Sequence, residues 1–300
     1  MTTSAPKCLS DFATFLENSE RSPLTIKNYL SDLSGFSIWF EETNGGPLSP
    51  EKITPTDLRE YKTWLVTVKQ LKPASVNRKL ATLKSFITWA NELGLAPQIT
   101  AAKVPKAERE AKHGPRWLDR REQNALLRAV ERGGSVRDLA IVQVLVCTGV
   151  RVEELCSLRW QDITIGDRKG LLVVRAGKGS KRREVPLNAD ARAVLLELGY
   201  KKHIGERAAV FQGQRGSLTP RGVQNLLSTY AADRSLVILG KEGVSPHELR
   251  HTFCKNLVDV GVSLEKVAAL AGHESLDYTR IYTEPSLLDL EKAVEMTVIR

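Results

Sequence analysis

The sequence predicts a mainly helical protein in two domains, with a small β-hairpin or sheet in the second. Three observations lead there. Apolar residues recur at helical spacing up to about residue 100 and again beyond Asn188. Between Ile163 and Leu187 the period shortens to two, the mark of strands. From Gln98 to Pro115 periodicity stops among prolines, small residues and charges (KVPKAEREAKHGP), the composition of a linker. The domains are therefore drawn at 1–100 and 116–300, joined by 101–115.

Ser10 reads as the N-cap of a short first helix through Leu16. Ser22-Pro23 opens a long second helix, with Leu24, Tyr29, Leu33, Phe36 and Phe40 as its apolar stripe. Thr54-Pro55 starts a third, carrying Leu58, Tyr61, Leu65 and Val68. Pro73 starts a fourth, with Val76, Leu80, Leu83, Ile87 and Ala90 inward, ending at Gly94 and Pro97. Its polar face keeps Arg78, Lys79 and Lys84, which suit a helix lying along DNA or an ordinary solvated face. In the second domain Asp119 caps a helix through Val130, and a very apolar segment from Asp138 to Thr148 ends at Gly149. LLVVRA and RREVPL read as strands joined by a Gly-Lys-Gly-Ser-Lys turn. Helices follow near 189–198, 220–232, 246–260, 263–271, 275–282 and 285–296.

The 300 residues carry 44 Lys plus Arg against 35 Asp plus Glu, a net charge of +9 that favours a polyanionic partner. The four cysteines (Cys8, Cys147, Cys156, Cys254) lack metal-ligand spacing and suit small buried residues of a reducing compartment. No stretch approaches the roughly 20 apolar residues of a membrane span, and MTTSAPKCLS is no signal peptide, so a cytoplasmic protein is expected.

Six residues carry the chemistry: Arg151, Lys178, His247, Arg250, His273 and Tyr282. Gly177 and Gly179 put Lys178 at a tight turn, followed by Lys181, Arg182 and Arg183. An ammonium there reaches a phosphate, and neighbouring cations lower its pKa toward general-acid use. His247 and Arg250, at i and i+3 near a helix N-terminus, share one face and suit a phosphate. Arg151 has Glu153 and Glu154 beside it, a carboxylate there orienting the guanidinium. Tyr282 is the candidate nucleophile, with Tyr278 and Tyr230 as rivals by pattern. Taken singly, each residue also fits an ordinary surface or half-buried position.

HELRH also satisfies H-E-x-x-H, in which His247 and His251 would hold zinc and Glu248 would act as base. Ser245-Pro246 puts the pair at the start of its helix, Arg250 is unfavourable beside a dication, and a third ligand (Glu265, Glu274 or His273) is a guess. Phosphate chemistry fits better than zinc, and a zinc hydrolase or a non-catalytic DNA-binding regulator is the alternative.

In order and wording, TGVRVEEL, GKGSKRREVPL, HELRHTF and LAGHESLDYTRIYTE resemble the four boxes of the tyrosine recombinase (phage integrase) family, the simple Xer-like branch especially. The N-terminal helices resemble its core-binding domain, so the resemblance covers nearly the whole chain. It implies a C-shaped clamp of a helical SAM-like core-binding domain and an α+β catalytic domain, without room for an arm-site domain. It makes Arg151 and Arg250 the phosphate-binding arginines, Lys178 the general acid and Tyr282 the nucleophile. His247 and His273 assist, and Glu154 supports. The implied reaction is site-specific recombination through a 3′-phosphotyrosine and a Holliday junction, with no metal, ATP or other cofactor. The implied partners are a double-stranded DNA site and a homo-tetramer on two sites, with a partner recombinase as an option. The amphipathic segment 285–300 would be exchanged between subunits. Residues expected to touch DNA are Lys27, Arg78, Lys79 and Lys84 in the first domain and Lys181, Arg182 and Arg221 in the second. Glu248 and Ala271 depart from the usual pattern without removing any of the six.

Overall fold

The computed structural model describes residues 6–19, 21–96, 104–107, 115–175, 182–213, 216–241, 243–273, 275–283, 290 and 294–295. The chain divides into two compact units, Met1–His113 and Gly114–Arg300.

The first unit contains α1 (Lys7–Asn18), α2 (Pro23–Asn44), α3 (Pro55–Thr67) and α4 (Pro73–Glu92). Three of these open on proline, whose missing N–H would have had no helical partner. Ser22 Oγ caps α2 through Thr25 N, and Thr54 and Asp57 close a capping box on α3. The core is aromatic: Phe12 meets Phe86 edge-on at 5.3 Å, and Phe36 meets Tyr61 at 4.9 Å. Two details differ from expectation. The first helix starts at Lys7, and Ser10 is inside it, its hydroxyl donating to Lys7 O. Leu24 and Val68 are exposed, because they lie on the first turn of α2 and at the C-cap of α3, beyond the packed stretch.

The second unit begins with α5 (Arg120–Gly133), capped by Asp119 and Glu122, and α6 (Val136–Thr148), capped by Ser135. Helix α6 is apolar on nearly every face because α5, α8 (Ala189–Glu197) and α11 (Pro246–Asp259) enclose it. After α7 (Val152–Ser157) comes a three-stranded antiparallel sheet: β1 (Ile163–Ile165), β2 (Gly170–Val174) and β3 (Arg183–Pro186). Leu172 stands opposite both Ile163 and Val185, all three buried. A short pair, β4 (Gln212–Gly213) and β5 (Gly216–Ser217), precedes α9 (Pro220–Ala231) and α10 (Arg234–Ile238). Helices α12 (Leu264–Ala271) and α13 (Asp277–Arg280) follow α11.

The fold is thus mainly α with small antiparallel sheets, as the periodicities predict. The short elements α7, α10, β4 and β5 are too brief to show a period. The helix expected at 275–282 shrinks to α13, leaving Tyr282 just past its end. Residues 176–181, where the turn with Lys178 and Lys181 is expected, lie outside the described residues, as does nearly all of the segment 285–300. No described helix is long and apolar enough to cross a membrane.

Candidate active site

Helix α6 stops where Gly149 takes a left-handed backbone, φ 61°. A Cβ there would stand 2.2 Å from the Phe253 ring of α11, so the position needs glycine twice over. The tight turn aims the Gly149 carbonyl at α11, where it accepts from Arg250 Nη1 at 2.6 Å. Two residues on, Arg151 is the N-cap of α7. Glu154 accepts its backbone N–H at 2.8 Å and its Nη1 at 3.1 Å.

Helix α12 ends in the same way at Gly272, φ 69°. Its last carbonyls lack helical partners and form the negative end of the helix. Arginines from three distant segments supply the missing donors. Leu270 O accepts from Arg183 Nε at 3.0 Å, Ala271 O from Arg250 Nη2 at 2.6 Å, and Gly272 O from Arg151 Nη2 at 3.0 Å. This helix end gathers the site.

Arg250 is 4% exposed, and burial first, then the nearby Arg151 charge, bring its guanidinium down to about 10. It remains charged at neutral pH. Burial alone would raise the Glu154 carboxyl, but hydrogen bonds from Arg183 and the Arg151 backbone outweigh it and hold the carboxyl at about 2.

The histidines sit around these cations. His247 leads α11, lowered by partial desolvation and by Arg250 and Arg151. His273 follows Gly272, hydrogen-bonds Thr279 Oγ1 through Nδ1 at 2.9 Å and stacks over the Tyr282 ring at 6.5 Å. Burial, then Arg250 and Arg151, hold it down at about 4, so its imidazole is neutral at pH 7. His251, one turn beyond His247, is also held at about 4, by burial and by His247 and Arg250. Its Nδ1 lies 2.5 Å from Tyr282 Oη, in a hydrogen bond.

Tyr282 itself is 1% exposed, packed among Phe253, Cys254, Val267 and Ala271. Burial pushes its phenol well above the ordinary tyrosine range, and the Cys254 thiol adds to the rise. The rival Tyr230 donates to Asp138 at 2.8 Å on another part of the unit. The rival Tyr278 is 64% exposed, its ring 6.4 Å from His273.

Of the six residues singled out, Arg151, His247, Arg250, His273 and Tyr282 therefore meet. Lys178 lies outside the described residues. The zinc pattern dissolves on its own hydrogen bonds. Glu248 Oε2 caps α11 through Ser245 N at 2.8 Å, Glu248 Oε1 pairs with Lys241 at 3.2 Å, and His251 faces Tyr282. No metal-competent group of His, Cys, Asp and Glu exists among the described residues.

Among the DNA-facing candidates, Lys27, Lys84 and Arg221 are exposed and make no ion pair among the described residues. Arg182 is exposed and pairs with Glu184 at 3.0 Å. Arg78 and Lys79 share a buried partner, Asp32 of α2. Arg78 grips both its oxygens, and Lys79 Nζ is 2.9 Å away. Lys181 lies outside the described residues.

Sequence reasoning passed over two members of the site. Arg183 sits two residues before the buried Val185 on β3, so strand alternation already puts it on the inner face. His251 was absorbed into the zinc pattern, and its contact with Tyr282, 31 residues away, has no local signal.

Known proteins similar to this chain cover nearly its whole length. Residues 116–287 match the phage integrase family, and residues 9–93 match the phage integrase N-terminal SAM-like domain. A tyrosine recombinase XerC of Myxococcus xanthus is 34% identical over 305 residues, spanning 98% of each chain. The TnP I resolvase of Bacillus thuringiensis is 26% identical over 291 residues, covering 95% of this chain and 98% of its own. Among solved structures, the XerH site-specific recombinase bound to difH substrate, a pre-cleavage complex, has the same fold. Its TM-score is 0.70 at 23% identity, over 95% of this chain and 83% of that one. On these matches the chain belongs to the phage integrase family, the tyrosine recombinases.

Proposed function

We propose that this chain cleaves and rejoins DNA at specific sites through a covalent tyrosyl intermediate. One observation carries the reading: arginines from distant segments and three histidines gather round one helix end, with Tyr282 against the histidines. Relatives named recombinases, one solved on its DNA substrate, support it.

Tyr282 Oη attacks the scissile phosphorus, its proton passing to solvent water. The bond to the 5′ oxygen breaks, leaving a 3′-phosphotyrosine, and Lys178 protonates the departing oxygen. A 5′-hydroxyl from the partner strand then attacks the same phosphorus and releases the tyrosine. The ester keeps the phosphodiester's energy, so the exchange needs no nucleotide cofactor. Arg151 and Arg250 hold the non-bridging oxygens, with His247 and His273 assisting and Glu154 in support. Each guanidinium nitrogen that bonds a carbonyl still has a second N–H for phosphate. Charge developing on those oxygens is met by donors already fixed in place, commonly the largest catalytic term. Because Tyr282 is buried, residues 281–283 turn outward for the attack.

Residues 1–100 act as the core-binding domain and 116–300 as the catalytic domain, closing on a duplex with 101–115 along it. Four copies, or two pairs of this chain and a partner recombinase, hold two sites and exchange strands through a Holliday junction. Segment 285–300 docks on a neighbouring copy, and ending the chain after Thr283 is expected to abolish assembly on DNA; an intact tetramer would refute that docking. The decisive test of the chemistry uses nicked duplexes carrying the recombination site. Wild type and Tyr278→Phe are expected to form a protein–DNA adduct, and Tyr282→Phe to bind without forming one. An adduct with Tyr282→Phe would move the nucleophile elsewhere. Undiminished activity in a chelator separates this chemistry from the zinc alternative.

A further inference from the structure

We infer that Arg183 is a positioning residue of the phosphate pocket, supplying the counter-charge that leaves Arg151 free to hold phosphate. The inference rests on the recombinase reading and deepens it.

The carboxylate of Glu154 carries four donors. Arg183 Nη1 reaches Oε1 at 2.8 Å and Nη2 reaches Oε2 at 2.7 Å. Arg151 adds its Nη1 on Oε1 and its backbone N on Oε2. That fills the lone-pair capacity of a carboxylate. With Arg151 alone, Glu154 would form a one-to-one pair and cancel the charge meant for the phosphate. With Arg183 present the trio carries a net +1, and the parallel fork belongs to Arg183 rather than to Arg151.

Arg183 spends its fork on a carboxylate, whereas both outer nitrogens of Arg250 bond only neutral carbonyls. The third nitrogen of Arg183 holds Leu270 O. Arg183 acts through what it holds. It is the first residue of strand β3. Its Nε fixes the end of α12 two residues before Gly272, whose carbonyl holds Arg151 and whose successor is His273. The packing is close enough to dictate a second residue. A Cβ on Gly272 would stand 2.9 Å from Arg183 Nη1 and 3.0 Å from its Cδ. One guanidinium thus couples β3, the first-arginine box and the His273 segment.

A purely structural clamp and a counter-charge predict different double variants. On nicked site DNA, Arg183→Gln is expected to slow adduct formation about 100-fold, the scale of losing one preorganised charge. Adding Glu154→Gln removes the unbalanced carboxylate and is expected to restore at least tenfold of that loss. Arg183→Lys keeps the charge without the fork and is expected to lose no more than about tenfold. The proposal is overturned if Arg183→Gln stays within threefold of wild type, or if the double variant is no faster than Arg183→Gln. Should Arg183→Gln fail to fold, the two charge-balanced proteins, Arg183→Lys and the Gln/Gln double variant, decide. A 100-fold loss in either overturns the proposal. Wild type forming no adduct at all would instead bring down the recombinase reading itself.

Discussion

Lys241→Met is the sharpest test of how helix α11 is held in place. Lys241 has a side chain only 1% exposed, with Nζ 3.2 Å from Glu248 Oε1 and 4.0 Å from Glu122 Oε1. Each glutamate also caps its own helix, Glu248 on Ser245 N and Glu122 on Asp119 N. One buried ammonium therefore ties together the starts of α5 and α11. Methionine keeps the apolar stem and removes the charge, leaving two carboxylates facing each other. Breaking a buried pair from one side costs about 3–5 kcal/mol. Both carboxylates keep a backbone donor and a favourable helix N-terminus worth about 0.3–1 kcal/mol each, and they are 15% and 17% exposed. The loss is thus expected at the lower end, about 3 kcal/mol. For a unit this size that corresponds to a fall in Tm of roughly 6–12 °C. Calorimetry on the full chain should show one transition moved by that amount and the other unmoved. Both transitions within 1 °C of wild type would refute the reasoning, as would a Lys241→Met/Glu248→Gln double variant less stable than Lys241→Met.

Gly149→Ala combines a left-handed backbone with a Cβ 2.2 Å from Phe253; a loss of about 2–4 kcal/mol is expected by chemical denaturation. Acid should weaken the fold in two stages. His251 and His273, lowered in the fold to about 4, contribute stability above their unfolded value near 6.5 that is lost as pH falls toward 4. Glu154, lowered to about 2, adds a contribution lost as pH falls from its unfolded value near 4.5 through about 2. Denaturant midpoints across pH 7 to 2 check both stages, and replacing both histidines by glutamine should flatten the first. Lys84→Ala is expected to lower the salt slope of DNA binding by about 1 without moving Tm. Arg78→Ala should also destabilise the first unit, because it strips a donor from the buried Asp32.

Long amphipathic helices and their caps were legible because the cause is local. Ser22, Thr54, Asp119 and Ser245 each announce a helix start by their own chemistry. The six candidate residues were legible only as a set, since no single box distinguishes a phosphate ligand from a solvated side chain. What stayed hidden is long-range or very short. Asp32 reads as one more polar residue of α2, yet it is 3% exposed and binds two cations from α4, 46 and 47 residues on. Tyr282 reads as a helix residue, but α13 is a single turn and ends before it. Glu248 illustrates a motif whose letters match one chemistry while its hydrogen bonds serve another.

The convergence of arginines on Leu270, Ala271 and Gly272 has a consequence for biosynthesis. Arg151 and Arg183 wait for acceptors 121 and 87 residues downstream. At ribosomal speeds of about 5–20 residues per second, the first delay is roughly 6–24 s. Through that interval the nascent chain already carries both arginines, and the first unit is free to fold. The pocket cannot close until the end of α12 emerges, and the tyrosine comes later still. A chain broken off before residue 270 lacks the acceptors of all three arginines and Tyr282, so on the proposed chemistry it forms no adduct with DNA.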